Sequence, residues 1–200
     1  MSGDSAFTKL THHFLVAMPG LQDGVFSRSV IYLCEHSERG AMGLVINKPA
    51  DLTLPQLFDK LDLPLLRHDL REAQVLDGGP VQPERGFVLH DPVTLPDAQQ
   101  AAGPVYAATL QVPDGLALTT SRDVLDAMSG GAGPRRVLMT LGYAGWGEGQ
   151  LESELAENAW LTVPAQASVV FETPPAQRYD AALGLLGLQP WMLSPEAGHA

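Results

Sequence analysis

The segment GYAGWGEGQLESEL at residues 142–155 is the first candidate for chemistry, because its glycines precede a predicted helix. Glycine-rich turns at the start of a helix can bind phosphate through backbone N–H groups and the helix dipole. Here the spacing is neither G-x-G-x-x-G nor the Walker pattern, and the glutamates of the segment would repel an anion. The segment therefore predicts a tight strand-to-helix turn with at least one glycine at positive φ, and with Trp146 either packed or exposed to a partner. Its candidate ligand-binding or partner-binding residues are Gly142, Tyr143, Gly145, Trp146 and Gly147.

Two groups of titratable side chains lie at predicted strand ends. Cys34 and His36 are two residues apart, so on an extended strand they share one side while Glu35 takes the other. No second cluster of cysteine and histidine completes a zinc site, and a buried structural thiol is favoured over a nucleophile. His90 and Asp91 form either a capped strand end or an acid–base pair. Since the chain has neither a G-x-S-x-G nor an H-E-x-x-H motif, we predict no catalytic residue, no metal site and no cofactor.

Polar or flexible residues also follow two other predicted strands. Asn47 and Lys48 end one strand, and Gly78 and Gly79 end another. Binding residues often lie in loops at strand ends. Turn chemistry explains both segments as well, because a following proline holds Lys48 extended and paired glycines permit a sharp reversal. These four residues are therefore candidates for ligand contact, with a purely structural role as the alternative.

The composition indicates one globular, acidic domain. Hydrophobic residues make up 45% of the 200, which is enough for one core, and no repeat or linker divides the chain. The formal net charge of −11, from 23 acidic and 12 basic residues, repels nucleic-acid phosphate, so direct DNA binding is not expected. Cys34 is the sole cysteine, which excludes an intrachain disulfide. With no signal peptide and no apolar run of membrane-spanning length, we expect a cytoplasmic protein without membrane contact.

Short apolar segments that end at glycine, proline or polar clusters predict many strands and few helices. Strands are predicted over residues 13–18, 29–35, 42–47, 73–76, 86–90, 105–110, 115–119, 136–141, 160–163 and 168–171. Helices are predicted after Thr53, from Ser121 as the N-cap to Gly130, from near Glu148, and through Tyr179, Leu183 and Leu186. Adjacent strands separated by single helices favour an α+β fold with a mixed, largely antiparallel sheet over a Rossmann-type domain. One domain is predicted over residues 1–188, followed by a loose tail at 189–200.

Three segments carry a resemblance to a known family. They are FLVAMPGLQDGVFSRSVIYLCEHSERGAMGLVINKP at residues 14–49, VLDGGPV at 75–81, and GYAGWGEGQLESELAENAWL at 142–161. The chain resembles the YqgE/AlgH family from about residue 7 to residue 188. The resemblance implies a cytoplasmic bacterial α+β domain whose bent sheet forms a pseudo-barrel flanked by helices. It implies no established reaction and no catalytic residues, although the family is linked by name to transcriptional regulation of alginate synthesis.

Three functions follow as alternatives. The favoured one is a non-enzymatic regulatory or adaptor protein that binds a protein partner through the Trp146 loop, since tryptophan and tyrosine are frequent at binding hot spots. The second is an enzyme or small-molecule sensor whose pocket gathers residues from several strand ends, namely Asn47, Lys48, Gly78, Gly79 and His90. Direct binding of DNA as a transcription factor ranks last because of the acidic charge. A closed pocket with convergent polar groups would favour the second, and a convex apolar surface at Trp146 the first.

Overall fold

The fold is described for residues 8–92 and 105–193 of a computed structural model. Its strands are β1 (His13–Ala17), β2 (Val30–Ser37), β3 (Gly40–Val45), β4 (Pro49–Thr53), β5 (Gln74–Asp77), β6 (Val81–His90), β7 (Thr109–Gln111), β8 (Ala117–Thr119), β9 (Val137–Trp146) and β10 (Trp160–Pro164). Its α-helices are α1 (Leu54–Lys60), α2 (Asp123–Ser129), α3 (Gln150–Ala156), α4 (Ala167–Phe171) and α5 (Arg178–Leu185). Short 3-10 helices occupy His68–Leu70, Pro175–Gln177 and Pro190–Met192. None of these helices has the length and apolar composition needed to cross a membrane.

The strands form one curled sheet in the order β10-β1-β2-β3-β9-β6-β8-β7. Strand β5 lies parallel to β9, β4 pairs antiparallel with β5, and the other described pairs are antiparallel. Val163 lies on β10, the first strand of this order, and Leu118 lies on β8, the last but one. Both belong to one core cluster, so the sheet curls around that cluster. The predicted α+β fold with a bent, largely antiparallel sheet is therefore confirmed.

Three apolar clusters hold the helices against the sheet. The cluster inside the curl is covered by α4 and α5 through Val170 and Leu183, both fully buried. A second cluster contains Leu151 of α3. The third is formed where α1 and α2 place Phe58 and Met128 against residues of β5, β6 and β9. Each helix thus buries one face and leaves the other in water, which is what an amphipathic surface helix requires.

Local signals in the sequence located several element boundaries. Thr53 caps α1 in a reciprocal capping box, because its side chain accepts from Gln56 N at 3.4 Å and Gln56 Oε1 accepts from Thr53 N at 2.9 Å. Gly130 ends α2 as predicted. Tyr179 and Leu183 are buried one turn apart on α5, as their spacing indicated.

One predicted strand is a helix in the structure, and one observed strand was not predicted. Residues 168–171 belong to a helix, α4, which buries the adjacent Val169 and Val170 together, whereas a strand would turn them to opposite sides. Strand β4 was missed, since PADLT has no apolar alternation and is held by backbone pairing with β5. Residues 194–200 of the predicted tail lie outside the described part of the chain.

Two other predicted boundaries were wrong. Ser121 does not cap α2, which begins at Asp123; its hydroxyl donates to the Asp123 carboxylate and accepts from Ala108 N. The predicted strand 136–141 continues as β9 to Trp146. The strand-to-helix turn therefore falls only at residues 147–149.

Candidate functional site

The paired glycines after β5 meet β9 in a close backbone crossing. Gly78 N donates to Leu141 O at 2.8 Å. Gly142 has a φ of +74° inside β9, and a Cβ on it would lie 2.3 Å from the carbonyl oxygen of Gly79. A Cβ on Gly79, whose φ is +144°, would lie 2.3 Å from the backbone of Tyr143. Gly79 and Gly142 are therefore needed because any side chain there would collide with the other backbone. The two backbones leave no space for a ligand between them.

Asn47 and Lys48 hold the loop that joins β1 to β2. Asn47 Oδ1 accepts from Val30 N at 2.8 Å, and its Nδ2 donates to Arg28 O at 2.8 Å. Lys48 Nζ donates to the carbonyl of Val25, and burial lowers the pKa of this lysine although two nearby aspartates oppose the shift. The polar atoms of both side chains are thus engaged by backbone groups of the loop.

Trp146 is packed in the core. The residue is only 6% exposed, and its ring stacks on Phe26 and meets Trp160 edge to face, with centroids 6.3 and 6.1 Å away. Glu154 of α3 accepts from the indole nitrogens of Trp146 at 2.9 Å and Trp160 at 2.8 Å. Of the two interpretations of Trp146, the structure supports the packed one. Within the described residues, its low exposure means that the indole does not form a convex apolar surface.

The other residues of this segment have local roles. Tyr143 is half-buried and packs edge to face on Phe87, with ring centroids 5.5 Å apart. Gly145 is exposed and has an ordinary φ. Gly147 N donates to Gln150 Oε1 at 3.0 Å, which fixes the turn into α3. The prediction that a glycine of this segment has positive φ is confirmed by Gly142.

Cys34 and His36 lie on opposite faces of the sheet, contrary to the prediction. A β-bulge between Leu33 and Glu35 shifts the register of β2, so the alternation of side chains reverses there. Cys34 points into the cluster inside the curl, where burial raises the pKa of its thiol. His36 instead contacts Glu152 of α3, with Nε2 and Oε1 separated by 2.7 Å. The two groups therefore cannot act together as nucleophile and base.

His90 and Asp91 do not form an acid–base pair. His90 Nδ1 lies 2.7 Å from the backbone oxygen of Asp91 and Nε2 lies 2.8 Å from Thr119 Oγ1, and burial lowers the pKa of the ring. The Asp91 carboxylate instead receives two bonds from Arg136, at 2.9 and 2.7 Å. Both side chains are engaged in holding the sheet. No group of three or more His, Cys, Asp or Glu residues that could hold a metal occurs in the described ranges.

A cleft of about 370 Å³ opens between the sheet and the helices, and no motif in the sequence indicates it directly. Its walls are β5, the start of β9, the end of α4 and the turn that leads into α5. Arg178, the first residue of α5, lines this cleft and is only 6% exposed. We call this space the Arg178 cleft; its lining includes Leu54, Ala73, Leu76, Leu138, Met139, Val170, Phe171, Thr173 and Arg178.

Among the described residues, Arg178 is the one cation that lines the cleft, and its guanidinium is only partly bonded by them. Nε donates to Thr173 O at 2.8 Å, and Nη1 donates to Ile46 O. Within residues 8–92 and 105–193, no carboxylate lies within ion-pair distance of it. Burial lowers the pKa of Arg178 to about 10.

The position of Arg178 at the start of a helix carries a signal that sequence reasoning overlooked. A cation in the first turn is disfavoured by the helix dipole, and Arg178 stands one turn before the fully buried Ala182. Its positive charge therefore opposes the helix dipole, and it also stands on the buried, apolar face of the helix. Such departures are expected where a protein keeps a residue for binding.

The fold and the cleft define an α+β half-barrel protein with a cavity beside its sheet that Arg178 lines. The chain belongs to the AlgH-like family, whose family model matches residues 14–191. This confirms the resemblance seen in the sequence motifs.

Similar proteins cover the chain from end to end. A UPF0301 protein of Verminephrobacter eiseniae is 67% identical and one of Delftia acidovorans is 66% identical, each over 100% of both chains. The solution structure of the AlgH protein from Pseudomonas aeruginosa matches with a TM-score of 0.73 at 46% identity, over 100% of each chain. A crystal structure of a Corynebacterium diphtheriae protein matches with a TM-score of 0.67 at 20% identity, over 88% of this chain and 87% of that one, which shows the fold alone.

Proposed function

We propose that this protein is a non-enzymatic regulatory protein of the cytoplasm that binds a small-molecule ligand in the Arg178 cleft. The observation that carries the proposal is an arginine only 6% exposed that lines a cavity and has no carboxylate partner in the described residues. A volume of about 370 Å³ falls within the range of ligand pockets, roughly 300–1,000 Å³. An isolated buried charge is costly, and a bound ligand of complementary charge would offset that cost.

The burial of Trp146 supports ligand sensing more than the adaptor function that the sequence favoured. The sensor interpretation required a pocket at strand ends with convergent polar groups. The Arg178 cleft supports it, although with different residues from the strand-end set of Asn47, Lys48, Gly78 and Gly79. The net charge of −11 supports regulation without direct contact to DNA.

A compound screen tests the proposal by ligand-induced stabilisation, because a ligand that binds only the folded state raises the melting temperature. The cleft is narrowed by Ala73→Leu, at a half-buried lining residue, and the matched control is Ala156→Leu at the exposed end of α3. We expect compounds that stabilise the wild type and the control variant but not Ala73→Leu. Compounds that stabilise all three proteins equally, or a screen without any stabilising compound, would contradict the proposal.

A second candidate, the adaptor that binds a macromolecule, is favoured by a different tryptophan. Trp191 is 77% exposed and stands beside Met192, 49% exposed, with Leu186 at 37% on the same C-terminal part of the chain. Exposed aromatic residues are common binding hot spots. Affinity capture from native cytosol tests this candidate: a partner retained by the wild type should be lost with Trp191→Ala. A partner set that is unchanged by this substitution would remove the candidate.

A further inference from the structure

We propose that the Arg178 cleft recognises a monocarboxylate that carries an apolar body. This inference rests on the proposed function and names the class of ligand. The free donors of Arg178, the charges around the cleft and its apolar walls each support it.

The free N–H groups of Arg178 suit a carboxylate. A guanidinium has five N–H donors, and protein carbonyls take one on Nε and one on Nη1. Both donors on Nη2 and one on Nη1 have no acceptor among the described residues. Adjacent donors on the two terminal nitrogens match the two oxygens of a carboxylate, which is the bidentate geometry that arginine favours.

The protein bonds that Arg178 does make hold it in place for this task. Thr173 follows the end of α4 and Ile46 follows β3, so the guanidinium is fixed to two separate elements. A donor group that is already fixed loses little conformational entropy when a ligand binds. The pKa of Arg178, lowered to about 10 by burial, leaves the group charged at neutral pH.

Apolar residues form part of the walls of the cleft, beside polar and charged ones. Apolar side chains from α1, β5, β9 and α4 line it, namely Leu54, Leu76, Leu138, Met139, Val170 and Phe171. Burying hydrocarbon against them is favourable by about 25 cal/mol per Å². A cleft of about 370 Å³ limits the body to a small one, of the size of a medium-length acyl chain or a single ring.

The acidic residues around the cleft select against a second negative charge. Asp69, Glu72 and Glu172 line it. Asp69 is paired with Arg67 at 2.7 Å and Glu172 with Arg136 at 3.1 Å. Glu72 has no ion-pair partner in the described residues. The cleft therefore carries one buried cation and, at its exposed rim, one carboxylate without an ion-pair partner among the described residues, a balance that disfavours a phosphate dianion more than a carboxylate.

Three probes with one hydrocarbon chain test the inference on the whole protein: octanoate, octan-1-ol and octyl phosphate. Binding is followed by amide chemical shifts, which report whether a probe contacts the cleft. We expect octanoate to shift cleft signals and to bind about 10-fold or more tightly than octan-1-ol, because a hydrogen bond to a charged group is worth that factor. Octyl phosphate should bind more weakly than octanoate. This comparison uses the wild type and does not depend on the folding of any variant.

Substitutions then assign the preference to Arg178. Arg178→Gln should remove the preference for octanoate over octan-1-ol, whereas Arg39→Gln, an equal loss of charge at an exposed turn, should keep it. Arg178→Lys keeps the charge without the planar fork and should lose most of the preference. Ala73→Leu, which leaves Arg178 in place, should weaken the binding of octanoate and the binding of octan-1-ol by the same factor.

The binding results can contradict the carboxylate without contradicting a small-molecule site in the cleft. Equal binding of octanoate and octan-1-ol in the cleft would overturn the carboxylate and leave a small-molecule site. Tighter binding of octyl phosphate would overturn it in favour of phosphate. A preference for octanoate that survives Arg178→Gln in a folded variant would also overturn it. If no probe shifts cleft signals, the carboxylate inference is wrong, and the compound screen decides the proposed function independently.

Discussion

Replacement of Trp146 by alanine should be among the most destabilising single changes in this protein. The residue is 6% exposed, its ring packs on Phe26 and Trp160, and its indole N–H bonds Glu154. Removal of a buried tryptophan side chain costs about 3–5 kcal/mol, from lost burial and from the cavity that remains. Glu154 keeps its bond to Trp160, so the lost hydrogen bond adds little. For a chain of 200 residues this corresponds to a fall in melting temperature of about 6–20 °C.

The exposed Trp191 supplies the matched control for this measurement. It is 77% exposed, and a substitution at such a position should change the free energy of unfolding by about 0.5 kcal/mol or less. Urea unfolding of Trp146→Ala, Trp191→Ala and the wild type compares the same chemical change at a buried and an exposed site. If Trp146→Ala costs less than about 1 kcal/mol, the packing account of this residue is refuted.

Three further predictions concern a glycine, the cysteine and an ion pair. Gly142 and Gly149 have φ values of +74° and +73°, but only at Gly142 would an added Cβ lie 2.3 Å from a carbonyl oxygen. Gly142→Ala should therefore lower the free energy of unfolding by clearly more than the ~1 kcal/mol expected for Gly149→Ala. Equal melting temperatures of the two variants would contradict this. Cys34, buried with its thiol pKa raised, should resist labelling in the native protein and react once the protein is unfolded in urea; fast native labelling would show an accessible thiolate. The Arg136 bonds lower the pKa of Asp91, so the pair stabilises the fold at neutral pH and the contribution is lost as the pH falls through that lowered value. Asp91→Asn should therefore cost about 1 kcal/mol at neutral pH and nothing in strong acid, and a pH-independent cost would contradict the linkage.

The sequence by itself determined several local boundaries and the family. Thr53 and Gln56 form a capping box from side chains three residues apart, and Gly130 ends α2 through its own backbone. These signals act within one turn of helix, so they can be recognised without knowledge of the rest of the chain. The motifs between residues 142 and 161 are likewise contiguous in the chain, and they are sufficient to identify the AlgH-like family.

Only the tertiary structure decided which side chains are buried and which groups lie together. A single bulge in β2 placed Cys34 and His36 on opposite faces, although their spacing predicted one face. Burial of Trp146 depends on Phe26, far away in the chain. Arg178 reaches Ile46 across more than one hundred residues, and its cleft exists because α4 and α5 lie beside β5 and β9. Burial, cavities and the pairing of charges arise from contacts between distant segments, and the short-range periodicity of a sequence does not encode them.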